Sequence, residues 1–455
     1  MKNLIFVGLL MATVVAVKGQ INMLRYNDDF SYLKQDSAIK TGTDQLKYLP
    51  LRGKSIVSFG GEVREQLQYY NNINFGDVPP AFSTTSAWQL WHRLMAHADI
   101  EVNKHVRVFT QLGSTFRFIN PNPLTPEIEE NKLSLHQAFI DYRLNSDWLL
   151  RAGRQEVSYG SHRLITFREG PNTRLTFDAA ILKYSSEKRK IDLLALSPVV
   201  AQKGVFDDAG LKEFLIGFYA TEWIRPKAFG IDYYLLNFTS KTRRYNFISG
   251  RESRNVAGFR VFSNKPAANY ELEATWQFGT FNDLRINAYS ISADINHTFM
   301  SRSNWTAGIA ANYVTGDKRR DDKQLNTYNL LFSKPQYGLT APIGATNVIT
   351  ATPYIKANPT KRSSIYAGSS FVWRQSNADG TYSPGAIEMR PTPLSLPTSS
   401  KKAIGTLLTL ETNYLLNQHI ALAFDGSYFF AGNYVRETGK GKNIAYISFK
   451  ASYKF

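Results

Sequence analysis

Apolar and polar residues alternate with period two along nearly the whole chain. In "NYELEATWQFG", Tyr270, Leu272, Ala274, Trp276 and Phe278 share one face, and Glu271, Glu273, Thr275 and Gln277 share the other. "WHRLMAHADIEVN" sets Leu94, Ala96, Ala98, Ile100 and Val102 against Arg93, Met95, His97, Asp99 and Glu101. The last stretch, "NIAYISFKASYKF", carries Ala445, Ile447, Phe449, Ala451, Tyr453 and Phe455 on one face. Such segments run for about ten to fourteen residues, which is long for a sandwich strand and suits a tilted crossing of a bilayer.

The pattern predicts an all-β fold: a transmembrane antiparallel β-barrel of about eighteen strands, apolar face to lipid and polar face to lumen. Strands are expected to begin near Ile56, Trp88, His105, Leu133, Asp147, Arg174, Lys190, Lys212, Pro226, Arg254, Ala268, Asp283, Ser303, Thr346, Arg362, Lys402, Gln418 and Asn443. Tight turns ("NK" at 103, "NSD" at 145, "IRP" at 224, "NPTK" at 358, "NQ" at 417) alternate with longer polar loops. The loops lie near 71–87, 119–132, 158–173, 198–211, 239–253, 316–345, 375–402 and 431–442, with a short exception near Thr280. This asymmetry is that of short periplasmic turns and long external loops. With the N-terminus inside, the first connection faces out and the final strand returns to close the barrel.

The opening "MKNLIFVGLLMATVVAVKGQ" reads as a cleaved secretory signal: Lys2, an apolar run from Leu4 to Val17, and a small-residue cleavage site before Gln20. The expected organisation is a signal peptide over 1–19, a short periplasmic segment over 20–55 and a barrel over 56–455. About thirty-five residues between signal and first strand are too few for a separate plug domain of an energised receptor. The localisation that follows is the bacterial outer membrane. There is no cysteine, so disulfides and thiolate metal sites are excluded.

Composition sharpens this picture. The formal charge is +17, less two once Lys2 and Lys18 leave with the signal, and aromatic residues make up 13%. A basic exported chain suits an anionic partner such as lipopolysaccharide or an anionic polymer. Export argues against nucleic acid as that partner, and "SFGGEV" at 58–63 is strand glycine rather than a phosphate-binding loop. No His/Asp/Glu cluster has metal-ligand spacing, so neither metal nor cofactor is expected. An enzyme would need a nucleophile, a base and an orienting group together. Ser134 and His136 share a parity, but His136 falls on the more apolar face.

Charges within strands should point to the lumen, because a lipid-facing cation costs about 2–4 kcal/mol at the midplane. Arg93, Arg107, Arg143, Arg64 and Arg260 fall on polar faces, as do Glu62, Asp99, Glu101, Asp141, Glu271 and Glu273. The segment 149–184 is the densest in charge, with Arg151, Arg154, Glu156, Arg163, Arg168, Glu169, Arg174, Asp178 and Lys183. Arg151 and Arg154 have opposite parity, so a regular strand sends only one inward. Arg154 shares its parity with Glu156 and is taken as the lumen residue, leaving Arg151 to snorkel or lie near the turn. Loop 158–173, rich in Arg and Gly, is expected to fold back into the pore.

"LRAGRQEVSYGSHRLITFREGPNTRLTFDAAILKY" resembles the signature segment of the alginate export family, and so does "GTLLTLETNYLLNQHIALAFDGSYFFAGNYV" near the end. The resemblance implies an eighteen-stranded outer-membrane barrel that passes an anionic uronate polysaccharide through an arginine-rich pore without nucleotide or covalent chemistry. It makes Arg154 of "GRQ", Arg168 of "REG", and Arg174 and Asp178 of "NTRLTFD" the leading pore residues. Arg163, Lys183, Arg93, Arg107, Arg143 and Glu156 are the further candidates. Relatives often carry a basic residue soon after "FDA"; here Ile181 stands there and Lys183 follows. A terminal aromatic such as Phe455 resembles the signal by which the barrel-assembly machinery recognises its substrates. The alternative within the same architecture is a general or small-anion porin.

Overall fold

The computed structural model describes residues 22–455 except 31–32, 34–41, 78–84, 120–128, 227, 246, 266, 301–303, 320, 335–342 and 391–398. The expected signal peptide and Arg320 lie outside the described residues. Eighteen long strands form the wall. They are β1 (Ile56–Asn71), β2 (Ala87–Glu101), β3 (Val106–Arg117), β4 (Asn131–Arg143), β5 (Trp148–Gln155) and β6 (Phe177–Ser185). Then follow β7 (Arg189–Pro198), β8 (Glu213–Arg225), β9 (Phe229–Tyr245), β10 (Ile248–Ser263), β11 (Ala268–Phe281) and β12 (Leu284–Phe299). The last six are β13 (Trp305–Val314), β14 (Val348–Thr360), β15 (Ser363–Arg374), β16 (Ala403–Leu415), β17 (Ile420–Ala431) and β18 (Ile444–Lys454).

Each strand pairs antiparallel with its neighbours in sequence, and β1 pairs with β18 from Glu62↔Lys454 to Asn71↔Ala445, which closes the barrel. Closure removes the sheet edges that lipid could not solvate. Phe455 completes it: its N–H donates to Gly61 O at 3.1 Å and Gly61 N–H donates to its carbonyl at 2.9 Å. A Cβ on Gly61 would stand 2.7 Å from the Phe455 ring, so only glycine admits that aromatic.

At one end of the barrel the connections are tight, and asparagine makes three of them. The Oδ1 atoms of Asn103, Asn145 and Asn417 each accept two backbone N–H groups two and three residues on, at 2.8–3.0 Å. This is the side-chain mimic of a backbone turn that favours Asn there. At the other end lie the long loops, with two short exceptions. The connection at Asn282–Asp283 is tight, as expected, with Asn282 at φ 48°. The loop expected over 239–253 is instead a ribbon: β9 and β10 stay paired to Tyr245↔Ile248 with a register shift between Ser240 and Arg243. Polar residues predict departure from the bilayer, not loss of strand pairing, which is why the polarity there was read as a loop.

The lumen is not empty. Residues 156–176 fold inward, as expected of the 158–173 loop, and so does the stretch around 326–334. The two meet in a parallel bridge at Ile165↔Phe332, with Phe332 N–H donating to Leu164 O at 2.8 Å and Thr166 N–H to Phe332 O at 3.1 Å. Leu164, Ile165, Leu330, Leu331 and Phe332 pack there with Phe177, Leu194, Leu196, Leu215 and Phe238 of the wall. Each such side chain contributes about 1.5–3 kcal/mol of burial.

Candidate functional site

The inward loop is fastened to the wall by one carboxylate. Glu169 accepts from Arg93 Nη1 at 2.9 Å and Arg64 Nη1 at 3.4 Å, and it pairs closely with Arg174. Arg93 also donates to Asn172 O at 2.8 Å and Pro171 O at 2.6 Å. The Asn172 amide donates to His92 O and Phe116 O at 3.2 Å, stitching the loop to β2 and β3. Arg174 turns its other side to Glu156 at 3.3 Å, and Glu156 pairs with His136 at 2.8 Å. Burial alone would raise the Glu169 carboxyl, but Arg174, Arg93 and Arg64 hold it far below the usual carboxylate range. His136 faces the lumen, contrary to expectation, because a register shift in β4 turns both His136 and Gln137 inward.

The far end of the loop reaches the opposite wall. Arg163 Nη1 donates to Asn312 Oδ1 at 3.2 Å, and its guanidinium lies 3.7 Å from Glu271 and 3.6 Å from Glu273. The second inward segment ends beside it, with Lys334 N–H donating to His162 O at 3.1 Å. Burial and then the Lys334 charge push His162 down to about 4, so it is neutral at neutral pH. Partial withdrawal from bulk water inside the lumen, then the Arg163 charge, lowers Lys334.

Side-chain size differs between the two sides of the lumen. The inward faces of β1–β9 carry Arg64, Arg93, Phe109, Phe139, Arg151, Tyr219 and Tyr234, which fill the lumen. Those of β13, β15 and β17 carry Gly308, Ala310, Gly368, Ala421 and Ala423, which do not. Lys356 of β14 projects into this space, its Nζ 4.6 Å from the Tyr354 ring centroid. Glu411 and the pair Asp425–Lys450, at 2.8 Å, complete the wall. Neither Lys334 nor Lys356 has a carboxylate partner among the described residues, and both are exposed within the barrel.

Nine of the ten anticipated pore residues fall into three groups, and Arg163 stands apart. Arg154 and Asp178 point away from the lumen: β5 keeps a regular alternation through Leu150, Ala152 and Arg154, so Arg151 is the residue that turns in. Arg154 Nε and Nη2 grip Asp178 at 2.8 and 3.0 Å on the outer surface, and Glu65 joins His92 there in the same way. Pairing neutralises the charge that made a lipid-facing arginine look too costly. Arg151 instead forks onto Asp141 at 2.6 and 2.8 Å inside. Arg93, Arg174 and Glu156 face inward but are buried in the Glu169 cluster, and Arg168 is spent on Ser333 O at 2.9 Å and Leu331 O at 3.4 Å. Toward the turn end, Lys183 pairs with Asp192, Arg107 forks onto Asp99 at 2.7 Å, and Arg143 is exposed at the rim. Of the ten, Arg168 joins the two inward segments, and Arg163 is the one that carries the first of them to the opposite wall. The double variant Arg154→Ala/Asp178→Ala should leave unitary conductance in a planar bilayer unchanged. Arg154→Ala alone strands an anion on the outer surface and should lower resistance to urea unfolding by up to about 2 kcal/mol.

Lys356 was legible, since Thr350, Thr352, Tyr354 and Lys356 alternate against Ile349, Ala351, Pro353 and Ile355. Lys334 was not, because it sits in a long segment whose inward path no local pattern reveals.

A closed barrel with a lumen narrowed by inward loops and lined by charge defines an outer-membrane solute channel. The chain belongs to the alginate export family, whose sequence profile, "Alginate export", matches residues 55–446. A search of curated protein sequences finds no match. Among solved structures, a BenF-like porin from Pseudomonas fluorescens Pf-5 is similar at TM-score 0.60 and 9% identity, covering 88% of this chain and 98% of that one. OccK2 (OpdF) of Pseudomonas aeruginosa, solved in complex with glucuronate, is similar at TM-score 0.59 and 8% identity, covering 88% and 98%. OpdO of the same organism is similar at TM-score 0.58 and 10% identity, covering 88% and 97%. The protein is a transport channel of the bacterial outer membrane rather than an enzyme.

Proposed function

We propose that the channel is anion-selective and passes a uronate-type oligosaccharide or polysaccharide by diffusion. The observation that carries this is the pair of lysines, Lys334 and Lys356, exposed without carboxylate partners on the open side of the lumen beside Arg163. A low-dielectric wall concentrates their field on the passage. Glu411, Asp425 and Asp294 on the surrounding strands supply acceptors for sugar hydroxyls, and a lysine holds a carboxylate as a point charge that releases it readily. Passage requires such weak, multiple contacts. A barrel of the same fold has been crystallised with glucuronate, which supports a uronate as cargo. The test is single-channel current through the refolded barrel titrated with oligouronates. Block that weakens in Lys334→Gln and Lys356→Gln is expected. Anion-selective current indifferent to the oligomer would instead assign the protein to small-anion porins.

A further inference from the structure

Residues 22–28, ahead of the first strand, lie inside the barrel. Arg25, 1% exposed, donates to Gly61 O at 2.7 Å and Phe455 O at 2.8 Å, and it is held by Asp28 at 2.8 Å. Its anchor is therefore the seam where the last residue meets β1. The Tyr26 ring stands edge-on to Phe109 and Phe139, with centroids 6.1 and 5.4 Å away, and the Arg151 guanidinium lies 4.2 Å from it. Tyr26 Oη donates to Glu156 O at 2.9 Å, at the root of the inward loop, and Arg107 Nη2 donates to Tyr26 O at 2.6 Å. Further in, Arg174 Nη1 donates to Met23 O at 3.2 Å. Asn22 folds back on Asp28 and Asn27, so residues 22–28 form a compact hook.

Beyond the hook is open space. Asn22, Met23 and Leu24 border one cavity with Gly160, His162, Glu169 and Lys334. Met23 is half-exposed there, its Sδ 3.9 Å from Lys454 Nζ. The hook thus stands in the lumen on the turn-end side of the constriction, in the same cavity as Lys334.

We propose that residues 22–28 are an autoinhibitory strap that narrows the passage beneath Lys334, and that releasing it widens the channel. The grip suits a reversible device. Arg25 holds backbone carbonyls that remain paired in the strand ladder without it, so withdrawal leaves the barrel's own hydrogen bonds intact. Tyr26 leaves an aromatic box that the Arg151 guanidinium, already fixed by Asp141, still lines. The proposal rests only on the lumen conducting ions and not on uronate as cargo.

Two measurements in plain potassium chloride test it, with no sugar present. The chain has no cysteine, so Met23→Cys places a single thiol on the strap at a half-exposed site whose one backbone contact is kept. Treatment with a sulfonate-bearing methanethiosulfonate should lower unitary conductance in one step. Labelling confirmed by mass with conductance unchanged would overturn the proposal. Arg25→Ala, checked for its heat-modifiable gel shift, should show unitary conductance above wild type with added flicker. A folded Arg25→Ala barrel with wild-type conductance would overturn it as well. Should that variant not fold, the thiol result decides alone.

Discussion

Glu169→Gln is expected to loosen the inward loop and raise channel conductance, at a cost of about 3 kcal/mol in barrel stability. The carboxylate pairs with Arg64, Arg93 and Arg174, all buried. Removing one partner from a buried ion cluster costs about 3–5 kcal/mol, because the charges left behind are desolvated without compensation. The lower figure applies here, since Glu156 still faces Arg174 and Glu62 still faces Arg93 at 3.5 Å. Release should propagate, because residues 169–174 tie the loop to β1–β3 while its far end is held by Ser161 and Arg163 on β11 and by Arg163 on β13. Urea unfolding in detergent reads the stability, and bilayer recording reads the conductance. A variant as stable and as conductive as wild type would mean that Asn172 and the apolar bridge at Ile165↔Phe332 hold the loop by themselves.

The same carboxylate sets a pH dependence. Its value in the folded protein is depressed, so its contribution is fully present above the ordinary carboxylate range and is lost as pH falls through the depressed value. The wild-type loop should therefore stay closed at pH 5 and open only in strong acid, whereas Glu169→Gln should already behave at pH 7 as the acid-opened form.

Lys334→Glu/Lys356→Glu should shift the channel's selectivity toward cations. The change replaces two exposed cations by two anions in the lumen while leaving the wall's ion pairs intact. A unit charge about 6 Å from a passing ion acts with roughly 0.7 kcal/mol in water and several-fold more where the wall lowers the dielectric. Two reversals together should shift the anion-to-cation permeability ratio by at least tenfold. Reversal potentials in a salt gradient measure it, and each single substitution should give about half the shift on a logarithmic scale. An unaltered ratio would place the ion path elsewhere, along the Arg107–Arg143 side of the turn end.

Strand order, strand number and the orientation of most wall residues were legible in the sequence. Lipid and lumen impose a period of two on every crossing, and the signal is local, so β11 reads correctly from Tyr270 to Phe278 alone. Departures arose where one residue changed the phase or one pair changed the cost. The bulge in β4 carried His136 inward, and the outer pairing of Arg154 with Asp178 made lipid exposure affordable for both.

The sequence by itself determined that the chain closes an eighteen-stranded barrel, that its final strand runs up to Phe455, and that its lumen carries both signs of charge. Only the tertiary structure decided which charges are available to a solute. Arg64 meets a carboxylate 105 residues away and Arg163 an amide 149 residues away, and no periodicity encodes such partners. A guanidinium consumed by a buried carboxylate looks the same in the sequence as one that faces water. Once the inward loops are folded against the wall, ion pairing at short range removes most of the arginines from the passage. The lysines at 334 and 356 remain exposed there, because the small residues of β13, β15 and β17 leave the space beside them open.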